Sequence, residues 1–217
     1  MEAVVQPLAQ ARLGARKVDA RHTDLGESQF PRPRIDVGHE FPSDELSADD
    51  HPSIVGTPSS ATATVQWQDE DDTDRFAHRL AAAPALRDAF ITLHGELGAG
   101  KTTFVRHLLR ALGITGRIKS PTYAVVEPHA APDGLAIHHF DFYRFGDPRE
   151  WDDAGFRDIF AAPGLKLAEW PNNAAGRIPV ADLAIKIEAM SDDDLRTVTL
   201  HAHTARGREL LAAATAA

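Results

Sequence analysis

The chain has 217 residues, a formal net charge of −9 and no cysteine, which excludes a disulfide framework, a thiolate metal site and a cysteine nucleophile. Residues 1–72 carry 14 acidic and 6 basic side chains and residues 73–217 carry 18 and 17, so the larger part is near neutral. It shows no basic stripe that would argue for direct, sequence-independent binding to a nucleic-acid backbone.

No stretch approaches the roughly 20 apolar residues of a membrane span, and the N-terminus lacks the apolar run of a secretory signal, so a soluble cytoplasmic protein is expected. Residues 1–60 lack apolar periodicity and are broken by Pro7, Pro31, Pro33, Pro42, Pro52 and Pro58. They are expected to form a disordered acidic, proline-rich extension, since such a segment buries too little apolar surface to offset the entropy of ordering. A docking tail is the functional alternative to a dispensable extension. A compact unit follows over 61–205, and 206–217 reads as a C-terminal helix or tail.

Within the compact unit, Ala63–Trp67 alternates like a strand, and Thr73 is a candidate cap for a helix carrying Phe76, Ala77 and Leu80 on one face. Ala89–Leu93 suits a buried strand. The run Phe104, Val105, Leu108, Leu109, Leu112 falls at helical spacing and stops at Gly113. Further strands are predicted at Tyr123–Glu127, Leu135–Phe140, Leu165–Ala168, Asp182–Glu188 and Arg196–His201, with short helical turns at Pro148–Ala154 and Asp158–Ala162. Interleaved around the glycine-rich loop GELGAGKTT (95–103), this order predicts an α/β, P-loop NTPase-like three-layer sandwich: a mainly parallel sheet whose last two strands, joined by Ser191–Asp194, form an antiparallel hairpin.

Residues Gly95–Thr103 read GELGAGKTT, the pattern of a phosphate cradle between a strand and a helix. Glycines at 95, 98 and 100 let main-chain N–H groups turn toward phosphate oxygens, and the helix N-terminus adds its own unpaired donors. Lys101 would reach the β and γ phosphates, and Thr102 would offer its hydroxyl to Mg²⁺. A carboxylate on a neighbouring strand is needed to complete the metal shell, and two strand ends supply one: Asp141 after IHHF and Glu169 after LKLA. Their division of roles stays open. Lys119–Tyr123, with two hydroxyls and a cation, is either an ordinary proline turn or a switch segment that senses the γ-phosphate. His138 and His139 point to opposite faces of a strand, and His201 and His203 lack a third ligand, so structural or solvated roles are expected for all four.

Five segments in order, GELGAGKTT, KSPTYAVVEPH (119–129), HHFDFYRF (138–145), DPREWDDAGFRDIF (147–160) and LAEWP (167–171), closely resemble the bacterial TsaE family over about residues 65–205. The resemblance implies a P-loop protein that binds ATP with Mg²⁺ and hydrolyses it weakly on its own. It also implies action with the TsaD and TsaB proteins in placing threonylcarbamoyl on N6 of the adenosine beside the anticodon, in tRNAs reading codons that begin with A. The tRNA would be held chiefly by those partners. Carried onto this sequence, Leu97, Gly98, Ala99, Gly100, Lys101 and Thr102, with Thr103, form the nucleotide loop; Thr102 and Glu169 are magnesium-site residues; Asp141 is the Walker-B-type acid. Trp170 matches the family tryptophan beside that glutamate. Thr122 belongs to a mobile element near the phosphates, and Glu70 and Thr73 match weakly a first-helix region that approaches the nucleotide. The long N-terminal extension and Glu96, where many relatives have Asp, depart from the pattern. Two alternatives remain: a small-molecule kinase, which would need an arginine-bearing lid, and a non-enzymatic assembly module driven by nucleotide binding alone. The Asn-Lys-x-Asp guanine reader is absent.

Overall fold

A computed structural model describes residues 61–146, 151, 154–190 and 195–216. The N-terminal extension, the turn at Ser191–Asp194 and most of Pro148–Ala154 lie outside the described residues. Seven strands, β1 (Ala61–Trp67), β2 (Phe90–His94), β3 (Val126–Ala130), β4 (Ala136–Asp141), β5 (Leu165–Glu169), β6 (Leu183–Ala189) and β7 (Arg196–Ala202), form one sheet in the order β1-β7-β6-β2-β5-β4-β3. The centre, β6-β2-β5-β4, is parallel. The edges β1-β7, β6-β7 and β3-β4 are antiparallel, and β6-β7 is the expected C-terminal hairpin. Among the described residues four α-helices accompany the sheet: α1 (Glu70–Ala81), α2 (Lys101–Ala111), the short α3 (Phe156–Ala161) and α4 (Ala205–Thr215).

Two local expectations give way. The cap of α1 is Asp69, not Thr73: its carboxylate accepts from Asp72 N at 2.9 Å, and Asp72 in turn accepts from Gln68 N at 2.8 Å. With Glu70, Asp71 and Asp72 in the first turn, the positive end of the helix dipole is well matched, and Thr73 is left to face inward, buried. The predicted strand at Tyr123–Glu127 begins three residues later, at Val126, because Val125 takes a left-handed conformation (φ 63°) and donates its N–H back to Pro121 O at 2.7 Å, closing a turn. Pro128 then sits within β3, which is tolerated because β3 is an edge strand.

The period-2 alternation divides the strands cleanly. Ile91, Leu93, Ile137, Leu165, Leu167, Leu183, Ile185, Ile187, Val198 and Leu200 point to one face, where they meet α1, α2 and α4. There Trp67, Phe76 and Phe104 pack as an aromatic trio with centroids 5.2–6.0 Å apart. Among the described residues, the opposite face is covered over β2-β5-β4, by a second cluster of Phe90, Phe140, Phe142, Trp151 and Phe156. On that side the outer strands present Thr62, Thr64, Lys186, Glu188, Thr197, Thr199 and His201 instead of apolar side chains.

Three histidines carried by the sheet have pKa values below the ordinary imidazole range. Burial is the first cause for each, reinforced at His94 by His201, His203, Lys101 and Lys186, at His129 by His139, and at His138 by Lys166 and His129. Since the folded chain binds these protons more weakly than the unfolded one, the stability they contribute is present above the unfolded value of about 6.5. It is lost as pH falls toward the lower folded-state values. Thermal unfolding followed by circular dichroism should therefore show a melting temperature that drops between about pH 7 and pH 5.5, before carboxylates titrate. A melting temperature that rises over that interval would contradict this assignment.

Candidate nucleotide site

The loop between β2 and α2 has the geometry of an anion cradle. Gly95, Gly98 and Gly100 have φ of 138°, 82° and 108°, in the region that side chains disfavour. At Gly95 a second constraint acts: a Cβ there would run into the Ile187 carbonyl oxygen of β6, so no larger residue fits the start of the loop. Ala99 is buried and its carbonyl accepts from Arg196 Nε at 3.2 Å, which ties the loop to β7. Gly100 caps α2 without a side-chain acceptor, so the first-turn N–H groups keep their capacity to bind an anion.

Lys101, the first residue of α2, is buried and donates from Nζ to Gly95 O (2.6 Å) and Glu96 O (2.8 Å), with Nζ 4.1 Å from the centre of the Trp170 ring. Burial lowers its pKa, against the opposing pull of Glu169, Asp141 and Glu96. One residue on, Thr102 Oγ1 donates to Glu169 at 2.9 Å (Oε1) and 3.0 Å (Oε2). Parallel pairing of β4 and β5 sets Asp141 directly beside Glu169. Asp141 Oδ2 accepts from Ser120 Oγ (2.5 Å) and Thr122 Oγ1 (2.7 Å), and its Oδ1 accepts from Tyr143 N (3.0 Å).

These groups enclose a cavity of about 340 Å³. Of the residues singled out from the sequence, Leu97, Gly98, Gly100, Lys101, Thr102, Thr103, Thr122, Asp141, Glu169 and Trp170 line it, and Ala99 braces the loop from behind. Leu97 is 77% exposed at the loop tip. Trp170 follows Glu169 in a left-handed conformation (φ 55°), an uncommon one for a bulky residue, and this turns its ring over Lys101. Glu70 and Thr73 do not join them. Glu70 accepts from His107 Nε2 at 2.9 Å where α1 crosses α2, and Thr73 is buried on the inner face of α1. A larger cavity of about 710 Å³ lies on the other side of the loop, against the face of β6 and β7 that carries Ala184, Lys186, Glu188 and His201, and shares Leu97 and Trp170 with the first.

The fold brings to the site two residues to which the sequence reading gives no role, and a third, His139, for which it expects only a structural or solvated one. Arg106 and Tyr143 line the cavity, and the i,i+4 helical spacing from Thr102 could have flagged Arg106. His139 Nε2 lies 2.9 Å from Glu169 Oε1 in full burial, and no local signal pointed to it.

The donor set suits a polyphosphate with a hard divalent cation. Main-chain N–H groups and an ammonium at a helix N-terminus match a polyphosphate, and a hydroxyl beside a carboxylate provides the oxygen ligands that Mg²⁺ takes.

A family profile described as "Threonylcarbamoyl adenosine biosynthesis protein TsaE" matches residues 67–198. The chain is 38% identical over 139 residues to the tRNA threonylcarbamoyladenosine biosynthesis protein TsaE of Haemophilus influenzae, an alignment covering 64% of this chain and 86% of the relative. It is likewise 38% identical over 141 residues to the protein so named in Bacillus subtilis, covering 64% and 85%. Among solved structures it resembles the crystal structure of Bacillus subtilis YdiB, with a TM-score of 0.56 and 27% identity, covering 72% of this chain and 95% of that one.

Proposed function

The chain belongs to the TsaE family and so to threonylcarbamoyladenosine biosynthesis, and from that premise we propose that it is the ATP-binding and weakly ATP-hydrolysing member of a cytoplasmic tRNA-modifying complex with the TsaD and TsaB proteins. The observation that carries the reading is the contact of Thr102 with Glu169 at the mouth of the glycine loop, beside Lys101. In that arrangement the loop N–H groups and Lys101 hold the phosphates, while Thr102 and Glu169 would hold Mg²⁺. The cation, when bound, supplies positive charge against the phosphate oxygens.

The two acids divide the work in this reading. Glu169 is held by the Thr102 hydroxyl and by His139, whereas Asp141 is held by Ser120, Thr122 and the Tyr143 N–H. Asp141 therefore holds the Ser120–Tyr123 segment against the cavity, where that segment would respond to the terminal phosphate. Trp170 shields Lys101 from water on the outer side.

The chain does not transfer the threonylcarbamoyl group in this reading. Its turnover of ATP supports repeated cycles of the partners, and tRNA is met only through the complex. The decisive experiment joins two measurements: ATP hydrolysis with and without the TsaD and TsaB proteins, and mass analysis of tRNA nucleosides after depletion of this chain. Partner-stimulated hydrolysis and loss of threonylcarbamoyladenosine are expected. An unchanged nucleoside level after depletion would sink the proposal.

A further inference from the structure

β4 carries His139 on the same face as Ile137 and Asp141, with its ring wholly shielded from solvent. Its Nε2 is 2.9 Å from Glu169 Oε1, an oxygen that also accepts from Thr102 Oγ1. A carboxylate can only accept, so the ring must present its proton at Nε2; Nδ1 has no hydrogen-bond partner among the described residues. Glu169 itself is only 2% exposed. A carboxylate so far from water is costly unless hydrogen-bonded, and left to Thr102 alone it could rotate about its last torsion. The imidazole, fixed by the strand and the surrounding core, approaches from the sheet side and Thr102 from the helix side. Between them the plane of the carboxylate is set.

We infer that His139 is a positioning residue for the divalent-cation site: through Nε2 it fixes the orientation in which Glu169, with Thr102, meets the cation. The inference rests on the reading that Glu169 and Thr102 hold that cation. It predicts a specific split, because a residue that acts only through Glu169 affects cation binding and leaves the phosphate cradle untouched.

The test uses the full chain. Free Mn²⁺ is measured by electron paramagnetic resonance during titration in the presence of ADP, and ADP affinity is measured separately in EDTA. His139→Leu should weaken Mn²⁺ binding about 10-fold or more, the range found when a partner behind a metal ligand is removed, while ADP affinity in EDTA stays unchanged. His139→Gln, long enough to bring an amide N–H to Glu169, should restore most of the cation affinity; His139→Asn, too short to reach it, should not. In a Glu169→Gln background, His139→Leu should add nothing further. If Glu169→Gln weakens Mn²⁺ binding but His139→Leu leaves it unaltered, or lowers ADP affinity in EDTA by the same factor, the inference is overturned. If Glu169→Gln itself leaves Mn²⁺ affinity intact, the underlying assignment of the cation site fails as well. Should His139→Leu not fold, the Gln and Asn variants decide the matter between them.

Discussion

Lys101→Ala is expected to lower ATP affinity by about 100-fold and to leave no measurable turnover. A hydrogen bond to a charged group contributes about 1.5–3 kcal/mol, and losing two from one ammonium removes about 3 kcal/mol at the low end, close to two decades of affinity. The fold should survive the change. The two carbonyls that Lys101 engages, on Gly95 and Glu96, belong to a partly exposed loop where water can replace the ammonium. Loss of the cation contact with Trp170 costs about 0.5–2 kcal/mol more, felt locally. Calorimetric titration with ATP, paired with a thermal melt, separates the two effects. A variant that melts like the parent and binds ATP with parental affinity would remove Lys101 from the site.

Glu169→Gln is the more discriminating change. The amide keeps the size and shape of the side chain but loses the charge that a cation needs. Turnover should fall at least about 100-fold, since even groups standing behind a metal ligand account for 10–100-fold. ADP binding without metal should persist, because the loop and Lys101 are untouched. In cells the consequence separates two readings of the protein. If the variant still assembles with the TsaD and TsaB proteins yet fails to sustain threonylcarbamoyladenosine, hydrolysis is required after binding. If the modification level stays normal, nucleotide binding alone drives the complex and the assembly-module alternative replaces the ATPase.

Much of this site could be read along the chain because its parts are local. The glycine loop announces itself through residue types that only such a backbone needs, and Asp141 and Glu169 stand at the ends of apolar runs that could be recognised as strands. What sequence could not supply was register. That Asp141 lies directly opposite Glu169, and that His139 reaches the same carboxylate across the β4-β5 pair, depends on two strands separated by an intervening helix. Adjacent histidines on a strand looked unpromising because they diverge, yet that divergence is what sends His139 inward and leaves His138 on the other face. The misplaced cap had a different origin. Thr73 is a reasonable helix starter by type, but Asp69 lies before three further acids and satisfies the first turn better. The start of β3 was misread because a valine in the left-handed region is rare enough that no propensity anticipates it. Glu70 and Thr73 rest on a weak match to the family's first-helix region, and here Glu70 meets His107 where α1 crosses α2.

The alternation of β4 has one more consequence. Its odd-numbered residues, Ile137, His139 and Asp141, serve the helix-covered face and the candidate nucleotide site, while Phe140 anchors the aromatic cluster on the reverse. The strand works like a two-sided printing plate in which neither side can be shifted alone. Deleting or inserting a single residue within it would send a phenylalanine toward Glu169 and a carboxylate into the aromatic cluster. Over these six positions evolution can exchange letters but not change their number, so β4 should be the segment of the chain least tolerant of length variation, more rigid in that respect than the glycine loop it faces.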